Sequence, residues 1–199
     1  LAHIPAADDA DAIVFDPHSK RVFSLNGDGQ SVTVIDPALG KNIATIALNG
    51  KPEFGVSAGN GKLYVNITNK GEVAEIDTAA LKVVRSWSVA PCSSSTGMSI
   101  DTAHNRLFSV CRNKYLAVSD VSAGKLVTTL PIGSGVDASS FDPETQLIFA
   151  SNGDGTMTVV HEDSPDIYTV GETVAPGKGA KRMTLDPTTH RVYLGTSQD

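Results

Sequence analysis

The sequence predicts an all-β fold, a β-propeller of four-stranded antiparallel blades, and three observations support this prediction. Short runs of alternating apolar and polar residues follow one another along the chain, as in residues 136–160, VDASSFDPETQLIFASNGDGTMTVV. Turn residues separate the runs, since Asp142-Pro143 opens one turn and the sequence NGDG at 152–155 forms the next. This unit recurs about every 41 to 44 residues, a period typical of propeller blades.

The period is the same at two independent landmarks. The residues that end the first strand of each unit lie 41, 44, 41 and 44 residues apart, at Asp16, Ser57, Asp101, Asp142 and Asp186. The residues that end the third strand lie 41, 43 and 41 residues apart, at Asp36, Asp77, Asp120 and His161. Because each period holds four short strands, the pattern indicates propeller blades rather than a helical array.

The predicted blade boundaries treat residues 1–199 as one incomplete propeller domain. Four whole blades occupy residues 9–52, 53–92, 93–135 and 136–179. Residues 1–8 are expected to end a preceding blade, and residues 180–199 to form half of another, so that the chain holds about four and a half blades. A cut ring exposes strand edges, which could lead to self-association. The alternative is a self-closed ring in which the N-terminal segment completes the last blade.

Composition excludes some classes of function. The hydrophobic content of 40% and charged content of 19% are ordinary for a globular protein. A net charge of −6 disfavours nucleic-acid binding, which normally needs clustered basic residues, and only Tyr115 with the basic residues of 112–114 suggests otherwise. No apolar run approaches the ~18 residues of a membrane span.

The two cysteines bracket one predicted hairpin. Cys92 precedes the first strand of the third whole blade and Cys111 ends its second strand, so an antiparallel turn at 102–105 brings them to the same side. A disulfide is therefore expected, and it implies an oxidising compartment, periplasmic or extracellular. The alternative is a pair of unpaired, partly buried thiols.

The most distinctive set of polar residues is expected at the mouth of the channel. In a propeller the first strand of each blade lines the central channel, and the loop before it forms one rim. We call the residues predicted there the channel rim: Asp11, Glu53, Thr96, Asp137, Lys181 and Arg182. Asp11 and Asp137 could hold a divalent cation. Lys181 and Arg182 could attract an anionic group. The alternative is a set of solvated charges that partly balance one another.

The histidines give a weaker indication of function. His18, His104 and His190 fall in the turn after the first strand of three different blades, so they are expected as exposed turn residues rather than as a shared metal cluster.

At the level of motifs, the sequence resembles the YVTN or YncE-like propeller repeat family. The resemblance rests on Asp-Pro turns followed by an RVY or RVF strand (DPTTHRVYLG, DPHSKRVFSL), on D-x-x-x-G-K turns (DPALGK, DVSAGK) and on an outer strand ending in P-I-G (TLPIGSG). It covers nearly all 199 residues. It implies a seven-bladed propeller that is usually exported, and it implies little about activity, because such repeats are scaffolds for many functions.

Two functions remain in competition on the sequence. The first is an exported binding scaffold whose rim loops and channel mouth recognise a protein, a glycan or a small molecule. The second is a propeller enzyme, a lyase or hydrolase that uses a divalent cation at the channel mouth. The sequence contains neither a G-x-S-x-G nucleophile motif nor a P-loop, so no catalytic residue is assigned.

Overall fold

The computed structural model describes residues 3–195 as eighteen β-strands, with no helix in that range. The strands form four antiparallel four-stranded sheets and one two-stranded hairpin. They divide into two compact units, residues 3–88 and residues 89–195. The predicted all-β architecture of four-stranded antiparallel sheets is therefore confirmed.

The first unit contains two sheets in which neighbouring strands follow chain order. Sheet 1 consists of β1 (Ala10–Asp16), β2 (Arg21–Asn26), β3 (Ser31–Asp36) and β4 (Lys41–Ala47). Sheet 2 consists of β5 (Pro52–Ser57), β6 (Lys62–Ile67), β7 (Glu72–Asp77) and β8 (Lys82–Ser88). The first strands, β1 and β5, lie beside each other, as expected for the inner strands of adjacent blades.

The second unit repeats this arrangement. Sheet 3 consists of β9 (Ser95–Asp101), β10 (Arg106–Cys111), β11 (Tyr115–Asp120) and β12 (Lys125–Pro131). Sheet 4 consists of β13 (Ala138–Asp142), β14 (Leu147–Ser151), β15 (Met157–Ser164) and β16 (Ile167–Val174), and the hairpin consists of β17 (Arg182–Asp186) and β18 (Arg191–Gly195). The first strands β9, β13 and β17 again lie side by side.

The D-x-x-x-G-K motif forms the turn between the third and fourth strands of a sheet. The Asp36 carboxylate accepts the amide N–H groups of Ala38 and Leu39 at 2.9 and 3.0 Å. Gly40 then adopts a φ of +62°, which glycine tolerates more easily than other residues. The turn needs an acidic residue to accept the N–H groups at its start and a residue of positive φ at its end, so the motif recurs.

The inner strands β9 and β13 approach so closely that position 97 has no room for a side chain. A Cβ atom on Gly97 of β9 would lie 2.7 Å from the Cα of Ala138, at the start of β13. On the same strand, the hydroxyl of Thr96 donates to the carbonyl of Val136 at 3.0 Å. These two positions hold the neighbouring sheets of the second unit together.

Each unit has its own hydrophobic core, built from the inward-facing residues of the middle strands. In the first unit the fully buried side chains include Phe23, Leu25, Val32, Val34, Leu63 and Ile76. In the second unit they include Phe108, Val110, Leu116, Val118, Ile148 and Val160. Phe108 also packs against Phe141 and Tyr168, with ring centroids 5.3 and 6.1 Å apart. Burial of these alternating residues is the main force that holds the sheets together.

The two predicted partial blades lie at the ends of the described chain. Residues 3–8 form no strand, although the N–H of Gly29 donates to the carbonyl of Asp8 at 3.1 Å, and residues 1 and 2 of the predicted preceding blade lie outside the described range. The predicted half blade at 180–199 contains β17 and β18, and its last four residues lie outside that range. Residues 3–195 include no helix that could cross a membrane.

Candidate functional site

The channel-rim residues of the second unit lie on or next to its inner strands. Lys181 precedes β17, and its ammonium lies 4.0 Å from the carboxylate of Asp137, which precedes β13. Arg182 is the first residue of β17 and is exposed. Thr96, by contrast, is buried, and its hydroxyl is hydrogen-bonded to backbone carbonyls. The structure therefore brings Asp137 and Lys181 together and gives Thr96 a structural role.

The channel-rim residues of the first unit lie on its two inner strands. Asp11 is the second residue of β1 and is exposed, whereas Glu53 is the second residue of β5 and is half-buried. Asp11 and Asp137, the predicted cation ligands, thus belong to different units.

The two cysteines form a disulfide in the second unit. Their Cα atoms are 5.6 Å apart, because the pairing of β9 with β10 places Cys111 opposite Ser95, three residues after Cys92. The hairpin geometry expected from the sequence is sufficient to bring the two thiols together.

A second polar cluster, which the sequence analysis did not assemble, lies at the other end of β9. Asp101 ends β9, and its side chain is almost completely buried. One of its carboxylate oxygens accepts the N–H of Ala103 at 2.9 Å, which fixes the following turn. The other oxygen, Oδ2, lies 2.6 Å from Nδ1 of His104 in that turn. His104 is an exposed turn residue, as predicted, with about 40% of its side chain exposed. The sequence did not predict its pairing with a buried carboxylate.

Glu162 of β15 completes the cluster. Its side chain is fully buried, and its Oε1 lies 3.4 Å from Nδ1 of His104. The backbone of β15 fixes this position, since the N–H of Glu162 donates to the carbonyl of Gln146 at 2.9 Å. Asp101, His104 and Glu162 each offer one ligand atom, and these three atoms lie within 4.8 Å of one another. We call these three residues the Asp-His-Glu cluster.

Burial controls the electrostatics of the cluster. Burial, together with the negative charge of Asp101, raises the pKa of Glu162 to about 7. Burial and the charge of Glu162 also raise the pKa of Tyr168 well above its usual value, so that its hydroxyl stays protonated. That hydroxyl donates to the carbonyl of Pro165 at 2.8 Å and lies 3.5 Å from Oε1 of Glu162. Near neutral pH, therefore, the cluster can gain or lose a proton at Glu162.

A related arrangement in the same unit differs in its exposure. Asp142 ends β13, and its Oδ2 lies 2.8 Å from Nδ1 of His190, which follows the next inner strand. The hydrogen bond and negative charge of Asp142 raise the pKa of His190. The third member of this set, Glu144, lies 3.3 Å from the imidazole but has a side chain that is 76% exposed. A simple aspartate–histidine pair therefore recurs, whereas the buried glutamate is particular to the cluster at Asp101.

Alignment of the repeats could have indicated the Asp-His-Glu cluster. The sequence predicted that the third strand of this repeat ends at His161, but β15 continues to Ser164, so Glu162 lies within the strand. In the repeat alignment, Glu162 corresponds to Thr78, which follows β7. An acidic residue at this repeat position, together with an Asp and a His three residues apart, marks the cluster. The turn that carries His104 and the strand that carries Glu162 are far apart in the sequence, so the signal becomes visible only when the repeats are aligned.

Comparisons with known proteins support the fold and leave the activity open. No family model and no curated protein matches the chain. Among solved structures, the chain is similar to a chain of Kuenenia stuttgartiensis hydrazine synthase, with a TM-score of 0.74 and 16% sequence identity over 92% of this chain. The match covers 60% of that chain, so the present sequence spans less than two thirds of its neighbour's length. At this identity the likeness shows the fold alone, which is β-propeller-like.

Proposed function

We propose that this protein is an exported binding scaffold of the YVTN or YncE-like type, which recognises an anionic ligand through its channel rim. The observation that carries the proposal is the position of Lys181 and Arg182. Both side chains are accessible, with that of Lys181 47% exposed, yet they are held at the start of a strand that is paired in a hairpin. Charged side chains on a rigid sheet end are well placed for recognition, because little order is lost on binding.

The remaining parts of the proposal rest on the repeat and on the disulfide. The Asp-Pro and D-x-x-x-G-K turns support membership of the YVTN or YncE-like family, and by that resemblance the complete ring has seven blades. The disulfide between Cys92 and Cys111 supports export, since disulfides persist mainly in oxidising compartments. A mass measurement with and without reductant on protein isolated from its native host tests the export proposal. A reduced pair in that protein contradicts it.

The chemistry of the channel rim favours binding over cation-assisted catalysis at the same place. Asp137 lies 4.0 Å from the Lys181 ammonium, with which a divalent cation at this carboxylate would have to compete. A lyase or hydrolase that uses a divalent cation at Asp137 is therefore the less favoured function.

The binding proposal is tested by thermal-shift and NMR titrations with a panel of carboxylated and sulfated oligosaccharides and acidic peptides. At least one member is expected to stabilise the wild type, and the double substitution Lys181→Ala and Arg182→Ala is expected to weaken its binding by about tenfold or more. Lys125→Ala, a change at the start of β12 in the same unit, serves as the matched charge control and should leave binding unchanged. The proposal fails if no panel member binds or if the control variant loses as much affinity as the double variant.

A further inference from the structure

The Asp-His-Glu cluster contains a buried oxygen that lacks a hydrogen-bond donor. Among residues 3–195, Oε2 of Glu162 is inaccessible to solvent and has no hydrogen-bond partner. A buried carboxylate oxygen in this condition is costly unless a positive charge or a proton compensates it. The cluster therefore needs a further cationic group in order to hold two ionised carboxylates.

The guanidinium of Arg106, whose charge acts on Glu162, makes its direct contacts with other groups. Arg106 donates from Nε to the carbonyl of Pro165 at 2.7 Å and from Nη2 to Asp166 at 2.9 Å. Its Nη1 donates to the carbonyl of His104 at 3.0 Å and lies 3.6 Å from Asp120. The charge of Arg106 acts on Glu162 and opposes the rise in its pKa, but these contacts are with other groups. His104 is the group whose Nδ1 approaches both carboxylates, at 2.6 and 3.4 Å.

At the equivalent repeat position in the first unit, protein groups alone satisfy a buried carboxylate. There the buried Asp16 accepts hydrogen bonds from the hydroxyls of Ser57 and Thr78 at 2.6 and 2.8 Å. Thr78 occupies the repeat position of Glu162. The replacement of a hydroxyl donor by a carboxylate removes a hydrogen bond and adds a negative charge, which is the change expected where a cation is bound.

We propose that Asp101, His104 and Glu162 bind one divalent transition-metal ion of the zinc class. One imidazole nitrogen and two carboxylate oxygens form a ligand set suited to Zn²⁺ or Mn²⁺. Three protein ligands leave a coordination position for water. The 40% exposure of His104 provides access from solvent to a site whose other two ligands are buried.

The groups around the ligands are arranged to keep them in place. The N–H of Ala103 holds one oxygen of Asp101, and the carbonyl of Gln146 holds the backbone of Glu162. The protonated hydroxyl of Tyr168 lies on the Oε1 side of Glu162. Outer contacts of this kind orient metal ligands and tune their affinity.

The test uses the full chain without a histidine tag, freed of metal with EDTA and titrated with Zn²⁺ and with Mn²⁺ by calorimetry. One ion is expected per chain, as counted by elemental analysis after gel filtration. Glu162→Gln and His104→Asn are each expected to weaken binding by more than about tenfold, because even changes in residues behind the ligands cost 10–100-fold. His104→Asn alters a partly exposed turn, so it remains informative if the buried substitution impairs folding.

Glu144→Gln is the matched control, since Glu144 stands beside the aspartate–histidine pair of Asp142 and His190 but is exposed. It should bind the ion with wild-type affinity. The proposal is overturned if the wild type takes up no stoichiometric ion, if both ligand variants bind as tightly as the wild type, or if Glu144→Gln loses as much affinity as they do.

Discussion

Asp16 and Asp101 occupy the same position in the repeat, at the end of an inner strand, and both are buried, yet their surroundings differ in chemistry. Around Asp16 there are only donors: the N–H of Ser19 and the hydroxyls of Ser57 and Thr78. Burial alone would raise the pKa of Asp16, but these hydrogen bonds outweigh it and lower the pKa to about 2. Around Asp101 there are an imidazole and a second carboxylate, and the pKa of Glu162 rises to about 7.

The difference shows that the repeat sets the position of a buried carboxylate but does not determine its function. Where the adjacent residues are hydroxyl donors, the carboxylate is fully satisfied and connects two sheets. Where the adjacent residue is Glu162, the same position collects negative charge that protein groups leave partly uncompensated. The structural hydrogen-bonded site and the candidate ion site thus differ at the repeat positions of the three donors to Asp16. Ser19, Ser57 and Thr78 are replaced by His104, Asp142 and Glu162.

The largest effect that we expect is that of Asp16→Ala on stability. This substitution removes the acceptor of the buried Thr78 hydroxyl and of the half-buried Ser57 hydroxyl. We therefore expect a loss of roughly 3–5 kcal/mol in the free energy of unfolding. Because the pKa of Asp16 is lowered on folding, the stabilisation is present above pH 4 and is lost as the pH falls towards 2. Urea unfolding at pH 7 and at pH 2.5 measures both effects.

Asp36→Ala is the control for this change, because Asp36 also accepts two hydrogen bonds but does so in an exposed turn. It should cost only about 1 kcal/mol. Equal losses for the two variants at pH 7 would show that the burial of Asp16 contributes nothing to its effect.

The disulfide provides the second largest contrast between the two regions. It ties the end of the β9–β10 hairpin that is opposite Asp101, whereas the β1–β2 hairpin that carries Asp16 contains no cysteine. The cysteines are 19 residues apart, and closure of such a loop contributes about 3 kcal/mol. We expect Cys92→Ala with Cys111→Ala to lower hydrogen-exchange protection more in β10 than in β2. A larger loss in β2 would contradict this assignment.

Much of the fold could be predicted from sequence because its determinants are local. Strand alternation, Asp-Pro turns and D-x-x-x-G-K turns act over a few residues, and the repeat multiplies each signal. The strands RVFSLN and SVTVID, identified from alternation, coincide with β2 and β3. The pairing of Cys92 with Cys111 followed from the same local geometry, since both residues flank one hairpin.

The candidate site could be predicted only in part because it depends on contacts between sheets. Asp137 and Lys181 were both assigned to the channel rim, but their proximity of 4.0 Å depends on neighbouring inner strands and was not predicted. The Asp-His-Glu cluster was missed because Glu162 lies 61 residues after Asp101 and reaches it from the next sheet. The orientation of His104 toward a buried carboxylate depends on side-chain packing that a single turn sequence does not reveal.

The smallest effect that we expect is the dependence of stability on the ionisation of Glu162. Its pKa is raised on folding to about 7, so in metal-free protein the folded state binds a proton between about pH 4.5 and pH 7 that the unfolded state has lost. The contribution of protonated Glu162 to the free energy of unfolding is therefore fully present below about pH 4.5 and is lost as the pH rises to about 7 and above. The glutamine of Glu162→Gln cannot ionise, so this variant should not show the decline. The difference in free energy of unfolding between the variant and the wild type should therefore be larger at pH 8 than at pH 5, by on the order of 1–2 kcal/mol.

Chemical unfolding in EDTA at the two pH values measures this difference. Glu144→Gln, which changes an exposed glutamate, should retain the pH dependence of the wild type. If the Glu162→Gln slope also matches that of the wild type, Glu162 is ionised without cost in the folded protein, and the contrast with the donor-rich site of Asp16 disappears.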